Sequence, residues 1–289
     1  MTIPFVPSHP LSHPLPISGG VRLLASVMTA AEAEVAVAAG VEIIDAKDPR
    51  RGALGALDHD TLDVIRRVVP AHIPMSATTG DLPCGDVTAI LAAAARVAAL
   101  GVDFVKIGIF TGVDGGAEGN AGPMHLLAAL ALDHHAFGRR VAVLLADHDV
   151  DLEIVAALPA AGFTGVMLDT ADKTRAALPD VAPLAMLQEF IKRAHHAGLF
   201  AGLAGALRLR HIPELKALGP DILGFRGALC EGCDRQAAIW PQAVTALRDA
   251  LAPAAHEHRP CDHRPLDQLP LDQRQGIVAV GDGCKDAPR

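Results

Sequence analysis

Ala39-Gly40-Val41-Glu42-Ile43-Ile44-Asp45-Ala46-Lys47 runs from the end of an alanine-rich helical stretch, through a reversal, into a short apolar run closed by charge. A glycine at that point supplies the left-handed C′ position that stops a helix before the chain turns back into a sheet. The phrase recurs as Leu100-Gly101-Val102, Ala161-Gly162-Phe163 and Ala197-Gly198-Leu199, each time ahead of another apolar run. Eight such runs can be placed: Arg22–Ser26, Ile43–Lys47, Ile73–Ala77, Phe104–Gly108, Val141–Leu145, Gly165–Leu168, Leu199–Leu203 and Ile222–Phe225. Helical stretches such as Ala30–Ala39, Val87–Leu100 and Leu184–Ala197 lie between them. Short strands alternating with helices predict a parallel sheet built from β-α units. Eight of them predict a (β/α)8 TIM barrel, with a doubly wound open sheet as the alternative of similar pattern.

Length and charge narrow the function classes. The chain has 289 residues, 51% of them hydrophobic, and a net charge of −8. One large domain is expected at 21–251. It is flanked by irregular extensions at 1–20, which holds five prolines, and at 252–289, rich in Pro, Asp, Arg and His. Scattered arginines on an acidic chain argue against a nucleic-acid surface. The sequence has no apolar run of the roughly 18–20 residues that a bilayer demands, and Met1 to Gly20 lacks the pattern of a secretory signal. A cytoplasmic protein acting on a small molecule, without a membrane or nucleic-acid partner and assembled from identical subunits, is the expectation. Cysteines 84, 230, 233, 261 and 284 form no regular framework, so reduced thiols are expected.

Only six lysines occur beside nineteen arginines, and three of the six, Lys47, Lys106 and Lys173, close apolar runs. In a barrel the C-terminal ends of the strands carry the chemistry. The candidates there are Asp45 and Lys47 on strand 2, Ser76, Thr78 and Asp81 after strand 3, Lys106 on strand 4, Asp147 after strand 5, and Asp169 and Lys173 after strand 6. Asp45 and Lys47 are two apart and share a strand face, leaving Ile44 and Ala46 to face the helices. Amines gathered in a desolvated cavity depress each other's pKa, and a lysine that loses its proton becomes a nucleophile toward carbonyls. The bland alternative is that each lysine is half of a buried ion pair with Asp45 or Asp169.

Gly205 and Ala206 after strand 7, with Arg226 and Gly227 after strand 8, stand where barrels often cradle a phosphate. Arg226 would add a forked contact. Cys230-Glu231-Gly232-Cys233 has metal-ligand spacing, but its only companions are the tail residues His256, His258, Cys261 and His263, so no metal is expected. His134-His135 and His195-His196 fall in helical stretches, where surface or packing roles are expected. No glycine-rich nucleotide loop follows a strand, so no cofactor is expected.

Taken in order, Ile44-Asp45-Ala46-Lys47-Asp48-Pro49-Arg50-Arg51-Gly52, Ser76-Ala77-Thr78-Thr79-Gly80-Asp81, Val105-Lys106-Ile107-Gly108, Leu168-Asp169-Thr170-Ala171 and Arg226-Gly227-Ala228-Leu229-Cys230 resemble the (5-formylfuran-3-yl)methyl phosphate synthase family over about residues 21–250. The resemblance implies a TIM barrel that condenses two molecules of glyceraldehyde 3-phosphate into a furan phosphate for methanofuran biosynthesis, with loss of phosphate and water and without metal or cofactor. It also implies that Lys47 is the Schiff-base lysine and Lys106 the proton-transferring one, with Asp45, Asp169 and Lys173 completing the cluster. Three positions depart from the family pattern: Ala206 where it has serine, Lys173-Thr174-Arg175 where it has Lys-Asp-Gly, and Cys233 where glycine is common. A Schiff-base aldolase on another sugar phosphate, and a non-catalytic barrel binding a phosphorylated metabolite, are the competing readings.

Overall fold

A computed structural model of the protein describes residues 20–110, 121–132, 137–148, 150–173 and 176–252. Its strands are β1 (Arg22–Val27), β2 (Ile43–Ala46), β3 (Met75–Thr78), β4 (Phe104–Gly108), β5 (Arg139–Leu145), β6 (Phe163–Asp169), β7 (Phe200–Leu203) and β8 (Ile222–Phe225). They pair in chain order, all parallel, and β8 returns to β1, so the sheet is a closed barrel and the open-sheet alternative falls. The helices are α1 (Ala30–Ala38), α2 (His59–Val68), α3 (Val87–Ala98), α4 (Ala121–Leu132), α5 (Leu178–Val181), α6 (Leu184–His196), α7 (Ile212–Ala217) and α8 (Pro241–Leu251). The chain divides into two units, Met1–Pro253, which contains the barrel, and Ala254–Arg289, which lies outside the described residues. The expected extensions, apart from Gly20 and Ala252, also lie outside them, as do His134, His135, Thr174 and Arg175.

Local chemistry accounts for the element ends. Thr29, Asp58 and Asp86 cap α1, α2 and α3 by accepting from the backbone N–H groups of Glu32, Thr61 and Ala89. The four reversal glycines, Gly40, Gly101, Gly162 and Gly198, all take positive φ, between 70° and 83°. Gly162 ends a pair of 3-10 turns, Leu152–Ala157 and Pro159–Ala161, rather than an α-helix. Pro159 supplies no N–H to a helical ladder, and β3 likewise begins at Met75, after Pro74.

Two apolar layers hold the barrel. Ile44, Ala46, Val105, Ile107, Val166 and Leu168 face outward against Leu62, Ile65, Ile90, Leu187 and Phe190 of the helices. Inside the barrel Leu24, Ile43, Phe104, Val141, Met167, Phe200 and Ile222 pack together, with the Phe104 and Phe200 rings edge-to-face at 5.7 Å. Gly165 makes room for that pair, since a Cβ there would stand 2.2 Å from the Phe200 ring. Among the described residues no helix is long and apolar enough to cross a membrane.

Candidate active site

Strand alternation turns Asp45, Lys106 and Asp169 into the barrel at its C-terminal end, Lys47 follows directly after β2, and Lys173 stands on the loop after β6. All five are buried, the lysine side chains being 4% to 8% exposed. Lys106 Nζ sits 3.1 Å from Asp45 Oδ1. Lys173 Nζ pairs with Asp169 Oδ1 and donates to the Thr170 carbonyl at 2.6 Å. Lys47 Nζ lies between the two carboxylates, 4.0 Å from Asp45 and 3.9 Å from Asp169, and its nearest acceptor is the Ala53 carbonyl at 3.4 Å. Each carboxylate thus has a close partner, and Lys47 is the amine left over.

The charges settle accordingly. Three protonated lysines against two carboxylates leave one excess positive charge in a buried space, and loss of one proton brings the cluster to neutrality. Burial pushes Lys47 down from the ordinary lysine value, Asp169 and Asp45 oppose this, and Lys106 and Arg235 add to it. Burial likewise lowers Lys173, to about 8, although Asp169 pulls the other way. For Asp169 burial works upward, but Lys173 and Lys47 prevail and hold it at about 2. Asp45 is also held below the usual carboxylate range: burial is overcome by Lys106 and Lys47, with help from Ser76.

These groups line a small cavity at the C-terminal end of the barrel. Its wall brings together Asp45, Lys47, Lys106, Asp169 and Lys173 with Gly205, Ala206, Arg226 and Gly227, as the strand-end reading expects. Four other candidates do not line it, because the protein itself uses their polar atoms. Ser76 donates to Asp45 Oδ1 at 2.6 Å, and Thr78 donates to the Gly55 carbonyl at 3.1 Å. Asp81 accepts from Leu54 N at 2.7 Å and packs so tightly on Gly52 (φ 111°) that a Cβ there would overlap its carboxylate. Asp147 accepts from the backbone N–H groups of Ala171 and Asp172 at 2.7 and 2.9 Å. Ser76 therefore orients the Asp45 carboxylate. Thr78 and Asp81 fasten the loop after β2, and Asp147 fastens the loop after β6.

Arg226 is corrected in the same way. Its Nε donates to the Arg235 carbonyl at 2.8 Å, and Nη1 donates to Glu32 and the Ser26 carbonyl at 2.6 and 3.1 Å. Nη2 donates to Glu32 and the Ala237 carbonyl at 2.9 and 3.1 Å. All five N–H groups are spent on the protein, so the forked contact expected for a phosphate is made to Glu32 instead.

Three residues at the site lack a place in the sequence reading. Ser26 donates to Asp45 Oδ2 at 3.1 Å, directly across the β1–β2 register. Glu32 anchors Arg226, and Arg235 lines the cavity. Glu32 carried one readable sign, the Thr29-x-x-Glu32 pattern of a helix start, and its carboxylate does accept from Met28 N at 2.7 Å. Elsewhere, Cys230 is buried with its Sγ on the Arg226 carbonyl at 3.3 Å while Cys233 is exposed, so the two thiols have different surroundings. Among the described residues no three His, Cys, Asp or Glu side chains converge on a metal position; Cys261, Cys284 and the tail histidines lie outside them. His195 has the surface role expected of it, bonded to Asp221 at 2.8 Å.

Comparison with known proteins points one way. The family model described as 4-HFC-P synthase matches residues 23–248. A putative (5-formylfuran-3-yl)methyl phosphate synthase of Methylorubrum extorquens is 44% identical over 231 residues, covering 78% of this chain and 92% of that protein. The (5-formylfuran-3-yl)methyl phosphate synthase of Methanocaldococcus jannaschii is 35% identical over 221 residues, covering 74% and 92%. Among solved structures, phosphoribosyl anthranilate isomerase from Thermotoga maritima superposes with a TM-score of 0.55 at 11% identity over 80% of this chain and 98% of that one, a likeness of fold.

Proposed function

Because the chain belongs to the 4-HFC-P synthase family, we propose that it condenses two molecules of glyceraldehyde 3-phosphate into (5-formylfuran-3-yl)methyl phosphate through an imine on Lys47, supplying the furan of methanofuran. One phosphate and two waters leave, which balances the atoms. The position of Lys47 carries the reading: it is the one amine of the cluster without a close carboxylate, at 3.9 and 4.0 Å from two that are already paired. Desolvation favours its neutral form, and a neutral amine attacks an aldehyde carbon. Loss of water from the adduct leaves an iminium, which acidifies the neighbouring C–H. Lys106, held on Asp45, and Lys173, held on Asp169, are placed to take and return protons. The resulting enamine expels the phosphate beside it and becomes an unsaturated iminium, whose terminal carbon is attacked by the enediolate of the second triose. Ring closure with loss of two waters makes the furan aromatic, and hydrolysis, which returns the water lost on imine formation, frees Lys47. Gly205, Ala206 and Gly227 offer backbone N–H groups to the retained phosphate.

The test is incubation with glyceraldehyde 3-phosphate, borohydride reduction and peptide mass spectrometry, alongside near-ultraviolet spectra of an unreduced sample. An adduct on Lys47 with a furan chromophore is expected. An adduct without the chromophore would replace the furan by an aldol product, and turnover by Lys47→Arg, which cannot form the imine, would overturn the Schiff base.

A further inference from the structure

A condensation of two phosphorylated trioses brings two phosphates into one cavity, and backbone N–H groups at the ends of β7 and β8 account for one. Resting on the proposed reading of the site, we infer that Arg235 anchors the other, the phosphate that is expelled.

Arg235 sits on the loop after β8, which the Cys230–Ile239 bridge folds back on itself. Arg226 fixes this loop from beneath by donating to the carbonyls of Arg235 and Ala237, and Glu32 and the Ser26 carbonyl fix Arg226 in turn. The Arg235 backbone is therefore rigidly placed over the site. Its side chain is half-buried in the cavity wall and reaches the loop after β2, where Nη2 lies 3.5 Å from the Gly52 carbonyl. Among the described residues that long contact is the one hydrogen bond of its side chain, and no carboxylate lies within ion-pair distance of it. The other cations in the wall are committed, Lys106 to Asp45, Lys173 to Asp169 and Arg226 to Glu32, and Lys47 serves as the attacking amine.

Charge completes the argument. Lys106 and Lys173 are matched by Asp45 and Asp169, so among the described residues the guanidinium of Arg235 is the cation in the wall that has no carboxylate in ion-pair contact. A planar fork suits the oxygens of a phosphate. Charge also grows on the phosphate as its C–O bond breaks, so a fixed cation at that oxygen accelerates the step as well as binding the substrate.

Arg235→Ala and Arg235→Lys, made in the full chain, test this with two aldehydes, glyceraldehyde 3-phosphate and unphosphorylated glyceraldehyde, trapped on Lys47 by borohydride. For Arg235→Ala, half-maximal trapping of the phosphorylated triose should need about 10- to 100-fold more aldehyde, the weight of a charge-assisted hydrogen bond, with glyceraldehyde within about twofold of the parent. Furan formation should lose kcat as well as KM, and Arg235→Lys should recover part of both. Equal losses with both aldehydes would mean a structural role and overturn the inference, as would no loss with either. If the parent protein traps the phosphorylated triose but makes no furan, the reaction assignment falls while the two trapping curves still decide the role of Arg235. Should neither aldehyde be trapped, inorganic phosphate is the probe: a smaller phosphate-induced rise in Tm for Arg235→Ala supports the anchor, and an equal rise overturns it.

Discussion

Replacing Lys47 by methionine should abolish imine formation and yet stabilise the protein at neutral pH. Methionine matches the reach of the lysine stem, so the change removes little packing. It leaves Lys106 on Asp45 and Lys173 on Asp169, two cations against two anions, where the parent holds a third amine whose hydrogen bond to the Ala53 carbonyl is 3.4 Å long. Replacing a whole buried ion pair or triad by apolar residues of similar volume is neutral or gains about 1–4 kcal/mol, and removing only the amine that has no close carboxylate should fall toward the lower end of that range. The pH dependence identifies the cause. Burial holds the folded-state pKa of Lys47 below 10.5, so between the folded value and 10.5 the unfolded chain binds the extra proton and parental stability climbs with pH. The advantage of methionine should be largest below the folded value and close as pH approaches about 10.5, the ordinary lysine pKa. Urea unfolding of both proteins at pH 7 and near pH 10 measures it. A variant less stable than the parent at pH 7, or a gap that does not change with pH, would mean that Lys47 stays charged and balances both carboxylates, and the nucleophile assignment would lose its basis.

Two further predictions follow from contacts already described. Glu32→Ala strands the buried Arg226 guanidinium and should cost about 3–5 kcal/mol in urea unfolding, while Glu32→Leu combined with Arg226→Met should cost clearly less, because it leaves no uncompensated charge. Ala206→Ser introduces a hydroxyl into the cavity wall after β7. One neutral hydrogen bond is worth about 0.5–1.5 kcal/mol, so binding of inorganic phosphate should tighten about two- to tenfold; unchanged affinity would show that position 206 does not reach the anion.

The barrel was legible because its signals are local. A glycine stop and an apolar run recur within each unit, and a lysine closing such a run stands out where arginine supplies most of the positive charge. The partners of polar side chains were not legible, because they are set by contacts between distant units. Asp81 looks like a ligand-binding residue at a strand end, yet it fastens Leu54, 27 positions earlier. Arg226 looks like a phosphate fork, yet its fork closes on Glu32, 194 positions away. Arg235 sits in a polar loop with no period, so nothing near it in sequence announces that it faces the site.

The barrel's even strands explain how a stable core and a charged cavity share one interior. Ile43, Phe104, Met167 and Ile222, one each from β2, β4, β6 and β8, belong to the apolar plug inside the barrel. The next inward positions on the same strands are Asp45, Lys106, Asp169 and Gly224, because side chains two apart point the same way. Three members of that upper set carry charge and the fourth has no side chain. Gly224 lines the cavity, and a Cβ there would come within 3.2 Å of Ala204, which lines it too. The open space beside the lysines is thus the missing fourth side chain of a barrel layer. The apolar set beneath supplies the cohesion that this gap and its buried charges forgo. Substituting a bulky residue at Gly224 would fill the reaction space from the strand itself while leaving every charged group in place.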